Sequence, residues 1–353
     1  MPVGSFSGGW WDRQTTTLQI AGQLRAIGEL AGKAALYERQ TPQVLESLRQ
    51  IALVQSTESS NRIEGISIQD KRLQALMKDK IAPRDRSEAE IAGYRDVLRT
   101  IHASHSEMPV KPGVILQLHR DLYSRTDTQG GAWKPVDNVI VDVLPGGSRS
   151  VRFKPVFAFE TPHAVEELCQ GYQGMIGKAE PLLLIPTFIL DFLCIHPFAD
   201  GNGRMARLLT TLLLYEHRYS VARYISLEML IERTKETYYD SLFRSSQGWH
   251  ESAHDITDWW SYWLGVVLGA YRELESRAGV LTSRRGAKTA IIVDAISRFS
   301  GGFTVSDIQS VVPDAGIDLI RRVVRRLRDQ GQIACSGRGR DARWHKTGTV
   351  SVN

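Results

Sequence analysis

Residues 196–207 read HPFADGNGRMAR, and these twelve positions combine a histidine, an acid, an Asn between two glycines and two arginines. Pro197 cannot donate a backbone hydrogen bond, so His196 and Pro197 are expected to close an apolar helix. Gly201 and Gly203 then permit a turn in which successive N–H groups converge. A new helix begins at once, so its positive end points at the same spot. An anion is expected there. Arg204 and Arg207, three positions apart, share a face of the new helix and are expected to reach one polyphosphate, while Met205, Leu208, Leu209 and Leu212 turn toward the core. Asp200 is a hard oxygen ligand suited to Mg²⁺ (or Mn²⁺) shared with that phosphate. His196, neutral near pH 7, can take a proton from an attacking hydroxyl. No Gly-rich loop ends in Gly-Lys followed by Ser or Thr, which excludes a Walker loop as the source of phosphate binding.

The chain has 353 residues, 42% of them hydrophobic, enough for a sizeable core and about two or three domains. Its most apolar stretch, PLLLIPTFILDFLCI (181–195), is interrupted by Pro186 and Asp191. It falls short of the roughly 18 uninterrupted residues of a membrane span. The start, MPVGSFSGGWWDR, lacks a basic region followed by an apolar one, so no signal peptide is expected. Cys169, Cys194 and Cys335 are scattered and odd in number, which suits thiols in a reducing compartment and places the protein in the cytoplasm. Charge is uneven. From residue 284 onward 13 Lys/Arg face 6 Asp, a balance of +7 within a chain of +5, leaving −2 for residues 1–283.

Thr41 and Pro42 signal a helix start, with apolar residues then spaced helically as far as the stop at Gly65. Ser67 with Asp70 predicts the next start. Residues 86–125 read as two helices separated by the Pro109–Gly113 break. The stretch 131–155 changes period around Pro145, Gly146 and Gly147 and predicts a β-hairpin. Helices are expected at 161–177, 182–195, 204–217, 226–246 and 255–278. After the polar linker TSRRGAK (282–288), a helix at 287–299, a second opening at Thr304–Asp307, a third from Asp314 to Gln330 and the hairpin-like IACSGRGRDARWHK follow the order of a winged helix-turn-helix.

The run His196, Pro197, Phe198, Asp200, Gly201, Asn202, Gly203, Arg204, Arg207 matches the HPFx[D/E]GNGRxxR signature of the Fic family, so the chain is identified as a member of that family. The resemblance implies a protein adenylyltransferase that moves AMP from ATP to a hydroxyl of a protein target bearing Tyr, Ser or Thr, the chain itself included, and releases pyrophosphate. It implies His196 as general base, Asp200 as metal ligand, and Gly201, Asn202 and Gly203 as phosphate holders. Arg204 would lie on the β-phosphate side and Arg207 on the γ-phosphate. The hairpin sits where the family has its target-binding flap. Thr237, Tyr238 and Tyr239 resemble the tandem-Tyr helix, with Tyr239 lining the adenine pocket. Ser246 stands where some relatives have Asn. Upstream, Ser60-Asn-Arg-Ile-Glu64-Gly65 fits the [S/T]xxxE[G/N] inhibitory motif, implying a bidentate pair between Glu64 and Arg207 that denies Arg207 to ATP.

HESAH (250–254), with Glu273 beyond it, satisfies a zinc-protease pattern, but it follows Gly248 in a polar stretch and is not expected to bind metal. The segment IDLIRRVVRRLRDQG turns Ile320, Val323, Val324 and Leu327 inward and leaves Arg321, Arg322, Arg325, Arg326 and Arg328 outside. Like charges at i,i+4 favour an anionic partner. DNA is the expected one, with Arg338, Arg340 and Arg343 adding contacts, and docking on protein is the alternative. The expected fold is mainly α: a Fic-type helical bundle with a β-hairpin flap and a C-terminal winged helix-turn-helix. Residues 1–85 would form an N-terminal helical region with the inhibitory motif, 86–281 the catalytic domain and 282–353 the winged helix. The alternative function is a DNA-binding regulator whose Fic domain senses nucleotide or transfers another phosphate-linked group.

Overall fold

The structure, a computed structural model, describes residues 4–40, 42–143, 149–282, 287–299, 301–313, 315–337, 342–348 and 350. It is mainly helical. In chain order come α1 (Leu18–Gln40), α2 (Pro42–Ile63), α3 (Asp70–Met77), α4 (Arg86–Ser104), α5 (Pro112–Leu122), β1 (Ile140–Val143), β2 (Arg149–Phe153), α6 (Thr161–Met175) and α7 (Pro181–Ile195). Next are α8 (Asn202–Glu216), α9 (Leu227–Arg233), α10 (Lys235–Ser246), α11 (Thr257–Thr282), α12 (Ala287–Ser297), α13 (Val305–Val311), α14 (Ile317–Asp329), β3 (Ile333–Ser336) and β4 (Arg343–Lys346).

Helix α7 forms the centre of the larger core, with Leu182, Leu184, Phe188, Phe192 and Ile195 all buried. Pro186 lies within it and has no N–H for the Leu182 carbonyl one turn earlier. The indole of Trp263, on α11, donates to that carbonyl at 3.1 Å, so a neighbouring helix supplies the missing bond. Trp259 and Trp260 of α11 likewise donate to Pro186 O and Thr187 Oγ1. Helix α2 ends where Gly65 takes φ +79°, with Ile66 N–H donating to Asn61 O at 2.9 Å.

The buried apolar side chains fall into two clusters. The larger extends from Trp10 to Ala290. The smaller joins α12, α13, α14 and β3 through residues such as Ile292, Ile308, Val324 and Ile333, and it takes in Ile51 from α2. Thr304 and Asp307 cap α13 reciprocally, as their spacing predicts. Strands β3 and β4 pair antiparallel, and Phe303 bridges to Trp344 on the outer side. β1 and β2 form a second antiparallel pair, whose expected turn at 145–147 lies outside the described residues, as do Thr41, Asp314, Arg338 and Arg340.

Three expectations are corrected. Sequence reading passed over α1, whose interior carries Gly22, Gly28 and Gly32 and which packs along α11. The expected helix 226–246 breaks at Thr234 (φ −120°, ψ 31°), whose hydroxyl bonds to Leu230 O and Tyr262. Ser67 does not cap α3: the N-cap is Gln69, without a side-chain bond, and the Asp70 carboxylate lies against Gly301, where a Cβ would stand 1.6 Å from Oδ2. No helix among the described residues is long and apolar enough to cross a membrane.

Candidate active site

The HPFADGNGRMAR segment joins α7 to α8 through two left-handed residues. His196 is the C-cap of α7 at φ 49°, its N–H still donating to Phe192 O at 2.9 Å. Gly201 is the N-cap of α8 at φ 81°, and a Cβ there would stand 2.9 Å from the Tyr123 hydroxyl. That close approach, together with the positive φ, requires glycine. Between them Asn202 closes the loop on itself: its Oδ1 accepts Phe198 N–H at 2.9 Å and its Nδ2 donates to Phe198 O at 2.8 Å. The Asn202 side chain was expected to hold phosphate; it is buried in this loop bond pair, and its backbone N–H is what it can offer. The first intrahelical bond of α8 reaches Met205 N–H, so the N–H groups of Asn202, Gly203 and Arg204 have no helical acceptor.

A cavity of about 460 Å³ opens here, bordered by His196, Asp200, Gly203, Arg207, Tyr239 and Glu64. The Nδ1 of His196 lies 3.3 Å from Leu193 O. A carbonyl only accepts, so the proton sits on Nδ1 and Nε2 keeps its lone pair. Burial pushes the imidazole down to about 4, and the Lys134 charge adds to this, so the ring is neutral at neutral pH. Asp200 is half-exposed, with Oδ1 on Gly201 N–H at 2.7 Å and Oδ2 at 3.4 Å from Arg86.

The two arginines fork to opposite walls, so the expected joint grip on one polyphosphate is not what the structure displays. Arg204, 2% exposed, gives Nη1 to Glu90 at 2.5 Å and Nη2 to the Tyr123 hydroxyl at 2.8 Å. Arg207, 3% exposed, donates from Nε to Ser60 Oγ (2.8 Å) and from Nη2 to both Ser60 O (3.0 Å) and Glu64 Oε1 (2.7 Å). The expected bidentate pair with Glu64 is therefore a single bond: Ser60 occupies Nε and shares Nη2 with Glu64. Burial alone would lower the Arg207 pKa, but Glu64 outweighs it and the guanidinium is held more firmly charged than usual. Its Nη1 is buried with no hydrogen-bond partner among the described residues. The Glu64 carboxylate lies over the start of α8: a Cβ on Gly203 would stand 2.3 Å from Oε1.

Tyr239 is half-buried on the cavity wall, with the Arg152 guanidinium 5.8 Å from its ring centroid. Ser246 borders the same wall, and its hydroxyl donates to Phe243 O. In HESAH, His250 bonds Lys154 O, whereas His254 is buried against Ser5 and stacked on Trp10.

Sequence reasoning missed Lys134 and Asn138. Lys134 is buried, its Nζ donating to Ile195 O (3.0 Å) and Asn138 Oδ1 (2.9 Å), and its N–H to Pro197 O (2.8 Å). Asn138 in turn donates to Phe198 O at 3.2 Å. Together they clamp the loop from the side of the segment leading into β1, and burial lowers the ammonium to about 8. A lone Lys beside Pro135 carries no periodic signal that would have singled it out.

Residues 109–214 match the model of the Fic/DOC family. A Fido domain-containing protein of Dictyostelium discoideum is 36% identical over 78 residues, 19% of this chain and 54% of that protein, so the chain spans about half of that relative's length. Among solved structures, a Fic family protein from Desulfovibrio desulfuricans G20 superposes with a TM-score of 0.62 at 21% identity, covering 96% of this chain and 99% of that one. A Fic domain containing signaling protein from Bacteroides thetaiotaomicron VPI-5482 gives 0.61 at 20% identity, covering 72% and 98%. At these identities the structural likeness speaks for the fold.

Proposed function

Since residues 109–214 are a Fic domain, and proteins with this domain commonly transfer AMP or other nucleotide-linked groups to proteins, we propose that this chain is an autoinhibited protein adenylyltransferase. The observation that carries the reading is the position of Glu64. The chain lays one of its own carboxylates over the N-terminus of α8 and against Arg207, the place where local charge favours a phosphate.

In the proposed reaction, Nε2 of His196 takes the proton of a target hydroxyl as its oxygen attacks the α-phosphorus of ATP. The bond between the α-phosphorus and the bridging oxygen breaks, and pyrophosphate leaves. The N–H groups of Asn202, Gly203 and Arg204 receive the phosphates, and Arg207 takes the terminal one once Glu64 withdraws. Arg204 acts from behind, its charge largely spent on Glu90. Asp200, half-exposed on the cavity border with Oδ1 on Gly201 N–H and Oδ2 near Arg86, suits a Mg²⁺ or Mn²⁺ ion that would take its other ligands from ATP and water and neutralise phosphate charge. Tyr239 offers a ring to the adenine.

Labelled-AMP incorporation into lysate proteins and into the chain itself tests the reading. Glu64→Gly should label about 100 to 1,000 times more than wild type, a bias of about 2.7 to 4.1 kcal/mol. Equal labelling by the two would sink the autoinhibition, and no labelling by either would sink the transfer.

The C-terminal module favours DNA as an additional partner. Arg322, Arg325 and Arg326 on α14 and Arg343 on β4 have no carboxylate partner among the described residues, whereas Asp294 and Asp307 are paired with Arg298 and Lys78 away from that face. Following α13, this helix holds the place of a recognition helix with a hairpin beside it. DNA affinity that falls steeply with salt, and weakens when Arg322 and Arg326 are both changed to Ala, would support the reading; no shift at low salt would favour docking on protein.

A further inference from the structure

Large apolar side chains are exposed at ten positions among the described residues, and five of them, Val136, Val139, Val151, Phe157 and Phe159, fall within residues 136–159. Phe159 is 81% and Phe157 55% exposed, and their rings stack at 6.2 Å. Asp137 accepts the N–H of Ala158, between the two Phe residues, at 2.7 Å, which ties Val136 to the same patch. Solvent-facing aromatics grouped in this way mark an interaction surface, since isolated exposure is ordinary but clustering is not.

Beside the patch lies a second cavity, of about 430 Å³, lined by Pro155, Phe157, Ala164, Trp249 and His250, with Lys154 and His163 as well as Glu160 and Glu251 among its polar residues. It is separated from the His196 cavity by Phe153. That ring borders the His196 cavity on one side, and on the other it stacks on His250 at 5.4 Å and meets Trp249 edge-on at 6.4 Å. The partition is rigid: His250 Nε2–H donates to Lys154 O at 2.8 Å, the Trp249 indole is held by the buried Asp191, and Val156 N–H reaches Cys194 O at the end of α7.

We infer that this second cavity and the Phe157–Phe159 patch receive the target protein, as an extended segment carrying a large apolar side chain two residues from the hydroxyl that is modified. The inference rests on the transfer reading, which places the hydroxyl at His196. Among the described residues β1 and β2 pair only with each other, so each keeps an edge on which an extended segment can add. The partition is one stacked pair, Phe153 on His250 with centroids 5.4 Å apart, a width that two residues of extended chain, about 7 Å, can span, and residues i and i+2 of a strand face the same way. A hydroxyl in the first cavity therefore puts its second neighbour into the next one. An aromatic or leucine side chain buries its surface against Pro155, Phe157, Ala164 and Trp249, a gain that an aspartate at the same position forgoes.

Dye-labelled nine-residue peptides with a central Tyr test this by fluorescence anisotropy on the full chain without nucleotide. One peptide has Phe two residues before the Tyr, one has it two residues after, and controls carry Asp there. One Phe peptide should bind at least about tenfold tighter than its control. The preference should shrink to within about twofold in the F157A/F159A variant, with its thermal midpoint unchanged. Equal binding of Phe and Asp peptides, no binding up to about 1 mM, or a preference that survives F157A/F159A would overturn the inference. So would a dimer, seen by light scattering, that the double variant dissolves, since the patch would then belong to a second copy. Because this readout needs no ATP, a chain that discriminates peptides but never transfers AMP refutes the chemistry and leaves the docking surface standing.

Discussion

Two walls face the first turn of α8, and each holds one arginine. On the α4–α5 side Arg204 meets Glu90, 5% exposed, along with the Tyr123 hydroxyl and ring. On the α2 side Arg207 meets Ser60 and a Glu64 that keeps 31% of its side chain in solvent. The guanidiniums are equally buried, so depth does not distinguish them. Their partners do. Glu90 is buried with both oxygens engaged, one by Arg204 and the other by the exposed Arg86 at 2.5 Å, so separating it from Arg204 takes apart a buried network; Glu64 stands at a helix end, just before a glycine with positive φ, and can rehydrate on leaving. One pair is architecture, and the other is a contact that an incoming phosphate can replace.

The strongest way to set the chemistry apart from both walls is to remove His196. In a Glu64→Gly background, His196→Ala should cut AMP transfer by about 10² to 10⁴ while ATP binding and thermal midpoint hold; transfer at an undiminished rate would remove His196 from the mechanism. Next, Arg204→Ala should cost about 2 to 3 kcal/mol in chemical denaturation because the buried Glu90 keeps only its pair with the exposed Arg86, against about 1 to 2 kcal/mol for Arg207→Ala. Equal losses would erase the distinction between the walls. Third, Arg207→Ala combined with Glu64→Gly should label about 10² to 10³ times less than Glu64→Gly alone, as expected for loss of one phosphate-directed donor; restored labelling in the double variant would mean that Glu64 does not act through Arg207.

The smallest effect concerns His119 on the α4–α5 wall, which stacks on Phe198 at 3.6 Å and bonds Asp200 O. Burial pushes it down to about 4, with the Arg204 charge assisting. Below its unfolded value near 6.5 the unfolded chain binds a proton that the folded chain refuses. Stability from this group is therefore present above about pH 6.5 and is lost as pH falls toward 4. Between pH 7 and 5 the loss should be about 1 to 2 kcal/mol, and thermal melts of His119→Gln should show a smaller pH dependence than wild type.

The loop between α7 and α8 was legible because its signals are local: a proline that ends a helix, glycines that permit turns, a histidine and arginines at fixed offsets. The Gly65 stop and the Thr304–Asp307 cap were legible for the same reason. Glu90 was not, since it lies 114 residues from Arg204 and looks like any acid on an amphipathic helix. Lys134 and Asn138 escaped for a related reason: they hold the loop through backbone carbonyls, which carry no side-chain identity in the sequence. The split of the two arginines follows from which helix crosses which, a matter of packing that neither residue type nor spacing encodes. The break at Thr234 is set likewise by a partner on α11 and not by a helix-breaking residue.

Helix α2 belongs to two cores at once. Ile51 is buried in the C-terminal cluster, and Glu64, thirteen residues along, touches Arg207. At 1.5 Å per residue those points are about 20 Å apart on a stiff rod. Between them Thr57, Ser59, Ser60, Asn61 and Ile63 are all buried, so the carboxylate rides on an element anchored along its length, and its reach over α8 is set by the packing of both cores.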